Sequence, residues 1–145
     1  MTCDASHVST PAADNRSARL AIEKCLERGH LTPAAIQFIH AHGTGTRLND
    51  QREAALIQAL FPPSVAVCST KGAMGHTLGA SGAIGAAVCL MALAQQCLPP
   101  QVGLQHPEFD LNFVAQARPE KLTNVLCLSF GFGGQNVALS FRRQL

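Results

Sequence analysis

Two histidines, His40 and His42, stand in the run H-A-H-G-T-G-T at 40–46. On an extended strand this H-x-H pair points to one side and is a metal-binding candidate, although no acidic residue follows before Asp50 and no further ligand stands at metal spacing. The competing reading is one packed, hydrogen-bonded histidine beside one functional one. A second cluster, S-T-K-G-A-M-G-H-T-L-G-A-S-G at 69–82, holds Lys71 and His76 just ahead of a helix whose N-terminus supplies free N–H groups and partial positive charge. Lys71 precedes the glycines instead of following them, so the phosphate cradle G-x-x-x-x-G-K-[ST] is absent. The third cluster, L-S-F-G-F-G-G-Q-N at 128–136, surrounds Phe132 with glycines. Such a turn can present backbone N–H groups to an oxyanion, or it is a plain glycine-rich hairpin with Phe130 and Phe132 in the core.

These clusters need elements to hold them. Asp14 or Asn15 offers a cap for a helix running to about Gly29, and Thr32-Pro33 opens a short turn. Ile36 to Ile39 has the content of a strand, ending where the first histidine motif begins. Asn49-Asp50 caps a second helix with Ala54, Leu56, Ile57 and Leu60 as its apolar face, stopped by Phe61-Pro62-Pro63. Val65 to Cys68 reads as a short strand, 69–79 as a loop, and a long buried helix follows to about Cys97, stopped by Pro99-Pro100. Residues 101–118 read as a surface loop. Val125–Phe130 and Val137–Phe141 then form an antiparallel hairpin, which makes the whole an α/β layered domain with residues 1–13 irregular or at an edge.

Composition narrows the function classes. The 145 residues are 47% hydrophobic and 14% charged, below the roughly 25% of typical domains, which predicts one core and an interface with another polypeptide. The net charge of +2 comes without a basic stripe, so nucleic acid is not an expected partner. Six cysteines lie far apart with no C-x-x-C, suggesting neither a disulfide framework nor a zinc knuckle, and no signal-peptide pattern opens the chain; reduced thiols in the cytoplasm are expected. The most apolar run, Ala83 to Ala94, would span about 18 Å as a helix against roughly 30 Å of bilayer core, so a buried helix is expected and not a membrane span.

Taken in order, H-G-T-G-T, then K-x-x-x-G-H, then S-F-G-F-G-G resemble the β-ketoacyl synthases of fatty-acid and polyketide synthesis. The likeness runs from C-D-A-S-H-V-S-T-P at 3–11 through H-P-E-F-D-L-N-F-V at 106–114 to Phe141-Arg142-Arg143. It implies a thiolase-like fold of which residues 1–145 form the C-terminal half, with a mixed sheet ending in a hairpin. It also implies an acyltransferase that joins an acyl chain held on a cysteine to a malonyl unit on acyl carrier protein, with loss of carbon dioxide and without a metal or other cofactor. His42 and His76 match the two histidines that stabilise the enolate. Lys71 matches a lysine that keeps the second histidine neutral and oriented. Phe132 matches a gating phenylalanine whose N–H is an oxyanion donor, and Thr44, Thr46, Phe130 and Gly133 are expected on the substrate side.

The nucleophilic cysteine of that family lies in a first half not among these residues, so inactivity of the chain alone is expected, with a cysteine-bearing half or a dimer partner completing it. Cys68, three residues before Lys71, is the one local alternative, the other thiols reading as buried. Two positions depart from the pattern: Gly85 replaces a frequent glutamate nine residues after the second histidine, and Leu128 a frequent asparagine. The first change leaves Lys71 to be neutralised differently. A non-catalytic partner of the chain-length-factor kind, a metal-dependent hydrolase using His40, His42 and His76, and an inactive fragment remain alternatives.

Overall fold

Runs of β-branched and aromatic residues too short for helices set the centre of the molecule. In this computed structural model, which describes all residues but Pro11, Ala13 and Leu145, the elements are β1 (Thr2–Cys3), α1 (Arg16–Arg28), β2 (Phe38–His40), α2 (Arg47–Leu60), β3 (Ala66–Cys68), α3 (Lys71–Met74), α4 (Ser81–Gln95), β4 (Cys97–Leu98), β5 (Asn112–Phe113), β6 (Arg118–Pro119), β7 (Asn124–Gly131) and β8 (Gln135–Arg142). Six strands form one mixed sheet in the order β1-β8-β7-β2-β3-β5. β2 is parallel to both neighbours, β3 and β7, and β7 and β8 form the expected antiparallel hairpin. β4 and β6 pair separately.

Alternation along the strands splits the core into two layers. Ile39, Val67 and Leu126 face one side, where Ile22 and Leu26 of α1 and Leu56 and Ile57 of α2 cover them. Phe38, Ala66 and Cys127 face the other, against Cys89, Ala92 and Leu93 of α4. Burying a side chain of this size contributes about 1.5–3 kcal/mol, so both helical layers are fixed by the sheet.

Several expectations change at element ends. Of the two expected capping side chains, Asp14 accepts the Arg16 N–H at 3.0 Å, while the amide of Asn15, at the N-cap of α1, donates to the Arg52 carbonyl at 2.9 Å. α2 begins at Arg47, earlier than expected, which puts Asn49 and Asp50 inside its first turn. α4 ends at Gln95, before the prolines, capped by Gln96 in a left-handed conformation, and Cys97–Leu98 leaves as a strand. The 101–118 segment is more than a surface loop, since β5 extends the sheet parallel to β3 and Val114 is fully buried.

α4 differs most from the expected buried helix. Only Gly85, Cys89, Ala92 and Leu93 are buried, while Leu90 and Met91 are 52% and 57% exposed. With the preceding turn it gives 18 residues, Leu78–Gln95, of mean hydropathy 1.7, long and apolar enough to cross a membrane by length and composition, yet 22% buried here. One face therefore packs on β7 and the opposite face is apolar and uncovered.

Candidate active site

The parallel pairing of β3, β2 and β7 brings their carboxyl ends to one edge of the sheet, and each of the three clusters follows one of those ends. Crevices outside the carboxyl ends of parallel strands are where α/β folds build sites. β2 stops at His40, so strict alternation does not extend to His42 and the two imidazoles part. His40 Nε2 meets Thr70 Oγ1 at 3.0 Å, whereas His42 lies edge-on to His76, ring centroids 5.7 Å apart, and to Phe130 at 5.6 Å. Among the described residues no three His, Cys, Asp or Glu side chains come together to hold a metal ion, which gives the H-x-H pair no third ligand.

His42 is 6% exposed. Burial first, then the nearby Lys71 charge and the imidazoles of His76 and His40, bring its pKa from 6.5 down to about 3. It is neutral in neutral solution and keeps a single ring proton. His76 lies at the surface of this chain, and its Nδ1 accepts the Leu78 N–H at 3.0 Å and lies 3.1 Å from Ser81 Oγ. An accepting Nδ1 places the proton of the neutral ring on Nε2, so the fold selects the tautomer that can donate from that atom.

Lys71 reaches the segment of the first histidine. Its Nζ donates to the backbone carbonyl of His42, at the end of the neighbouring strand. Burial lowers its ammonium pKa, opposed by Glu53 and Cys127.

Glu53 is a site residue that motif reading missed. Its carboxylate, 5% exposed, accepts the backbone N–H of His42 at 2.7 Å and of Gly43 at 2.8 Å, with Asn49 Nδ2 at 3.2 Å. Burial raises its carboxyl pKa and these donors oppose the rise. The signal was present, because Glu53 lies three and four residues before Leu56 and Ile57 on the apolar face of α2, where a carboxylate needs a reason. Gly43 is forced at its position: its φ is +49° and a Cβ would stand 2.5 Å from that of Ser69.

A cleft of about 680 Å³ opens over these groups, lined by His42, His76, Thr44, Thr46, Phe130 and Phe132 among others. Thr44 and Thr46 join their hydroxyls at 2.8 Å on one wall, and Phe132 is 75% exposed. Gly133 does not line the cleft, and its N–H donates to the Val8 carbonyl at 2.8 Å. This bond holds the N-terminal segment against the turn. Cys68 does not suit nucleophilic chemistry, since it is fully buried and burial pushes its thiol up to about 12.

Known proteins resemble this chain in sequence and in fold. The family described as "Beta-ketoacyl synthase, C-terminal domain" matches residues 1–105. A 3-oxoacyl-[acyl-carrier-protein] synthase 2 of Synechocystis sp. is 44% identical over 99% of this chain and 36% of its own length. One from Mycobacterium tuberculosis is 37% identical over 99% and 35%. The chain thus spans about a third of these curated relatives. Among solved structures, a ketosynthase in complex with its chain length factor from Xenorhabdus doucetiae aligns with TM-score 0.90 and 36% identity, over 99% of this chain and 37% of that one. A β-ketoacyl synthase from Burkholderia phymatum aligns with TM-score 0.91 and 31% identity, over 99% and 36%.

Proposed function

The chain belongs to the β-ketoacyl synthases, as their thiolase-like C-terminal domain, and on that premise we propose that it is the catalytic C-terminal half of a 3-oxoacyl-[acyl-carrier-protein] synthase. The observation that carries this reading is the pair of imidazoles, His42 buried and neutral, His76 held as the Nε2–H tautomer, facing one another in the cleft. As a malonyl thioester loses carbon dioxide, the C–C electron pair passes into an enolate, and N–H donors aimed at the thioester oxygen stabilise that charge. The enolate carbon attacks the carbonyl of an acyl thioester, and the cysteine sulfur that held the acyl group departs with the electron pair.

That cysteine comes from a polypeptide segment outside these 145 residues, so the chain alone does not condense. Phe130, Phe132, Thr44 and Thr46 line the cleft on the substrate side, and Lys71 and Glu53 position the His42 segment. The uncovered face of α4 suits the cysteine-bearing half, and acyl carrier protein delivers both thioesters in the cytoplasm, for fatty-acid or polyketide synthesis. The test is release of carbon dioxide from malonyl-carrier thioester by the chain combined with a cysteine-bearing half. His42→Ala and His76→Ala should each lower the rate by about 10²-fold or more. Condensation by the chain alone, or full activity of both variants, would overturn the reading.

A second reading has one observation in its favour. Gly85 and Leu128 stand where the family often carries glutamate and asparagine, which suits a non-catalytic partner in a ketosynthase complex. Unchanged function of the complex with both histidines replaced would select it.

A further inference from the structure

Beneath the two histidines lies a group of buried side chains with no part in the chemistry above. Cys127 on β7, Cys89 on α4, Cys68 on β3 and His40 on β2 are each 3% exposed or less. Thr70 donates its backbone N–H to His40 Nε2 at 3.4 Å, which leaves a ring proton on Nδ1. Nδ1 is buried and has no hydrogen-bond partner. Gly85 shows what it faces, because a Cβ built there would stand 2.9 Å from both His40 Nδ1 and Cys127 Sγ. The missing side chain at 85 lets an imidazole edge and a thiol share one small dry space. A buried N–H requires an acceptor, and a thiolate is a far better one than a thiol.

We propose that Cys127 is held as a thiolate facing His40 Nδ1–H and acts as a positioning group, giving the ammonium of Lys71 a buried counter-charge. It is no nucleophile, since no substrate can reach a sulfur 3% exposed. The titratable groups facing it are His40 from β2, Lys71 from α3 and Cys89 from α4, while Cys68 of β3 acts on Cys89 and Glu53 of α2 acts on Lys71. The Cys89 S–H first, then His40 and the Lys71 charge, hold the Cys127 thiol below its ordinary range despite burial, and Cys89 is pushed up in return. The proton lost from Cys127 passes to solvent as the cluster closes. This rests on the functional reading only for what Lys71 serves; the charge arrangement itself is independent of turnover.

The test uses the chain itself. At neutral pH the folded chain should show the ultraviolet absorbance of one thiolate that is absent in urea and lost on acidification. It should disappear in Cys127→Ser and persist in Cys68→Ala. Lys71, followed by carbon-13 NMR of its methylated amine, should titrate at lower pH in Cys127→Ser than in the parent, a shift that loss of packing alone does not produce. No excess thiolate absorbance in the folded parent, or an excess that survives Cys127→Ser, overturns the proposal, and the parent titration decides even where a variant fails to fold. Failure of the chain combined with a cysteine-bearing half to condense, with the thiolate still present, would instead count against the catalytic reading alone.

Discussion

Lowering the pH protonates His42 in the unfolded chain long before it does so in the folded one. With an ordinary value of 6.5 and a folded value of about 3, the unfolded state binds the proton first, so this contribution to stability is complete above 6.5 and lost on the way down to 3. The loss works out at about 2 kcal/mol by pH 5 and about 3 kcal/mol by pH 4, against a typical total of roughly 5–15 kcal/mol. Glu53 acts in the opposite sense, since a carboxyl raised above 4.5 binds its proton more readily in the folded state and loses stability as the pH rises through that range. Urea denaturation of parent and His42→Asn across pH 4 to 8 separates the two, because Glu53 contributes to both curves. The difference in stability between them should shrink steadily below pH 6.5. Parallel curves would show that His42 titrates as an ordinary, hydrated imidazole, and the argument for an enforced neutral ring would fail.

Glu53→Ala strips the His42 and Gly43 N–H groups of their buried acceptor and should cost about 3 kcal/mol in urea denaturation, with Glu53→Gln costing less. Gly43→Ala meets both a positive φ and the Ser69 side chain, and a loss of about 2–4 kcal/mol should appear as a lowered Tm. Replacing Leu90 and Met91 by glutamate should reduce aggregation of the isolated chain and weaken its binding to a cysteine-bearing half, read by sedimentation and by co-purification.

Periodicity and turn residues were enough to locate β2, β3, β7, β8 and the three long helices, because each of those strands carries its own apolar run and each helix its own stripe. The three motifs were legible for the same reason: glycines and histidines at fixed offsets are local. Features that depend on residues distant in sequence were not. Glu53 takes its meaning from two N–H groups ten and eleven residues before it, and β5 from an edge that β3 leaves open. The reach of Lys71 to the His42 carbonyl depends on the parallel register of β2 and β3, which fixes the two strand ends side by side. α4 misled because its apolar content is nearly uniform around the helix, so composition could not say how much of it this chain covers.

The strand order also sets a timetable. β2 at the centre pairs Phe38 with Val125, and β1 at the edge pairs Thr2 with Asn136, so these pairings wait for β7 and β8 to be synthesised. Contacts so distant in sequence close late and slowly, and until they do the apolar strands stand open to other chains. A ribosome therefore delivers His42 and His76 well before the sheet edge that will hold them exists, and this domain should depend on chaperones during its synthesis more than its modest size suggests.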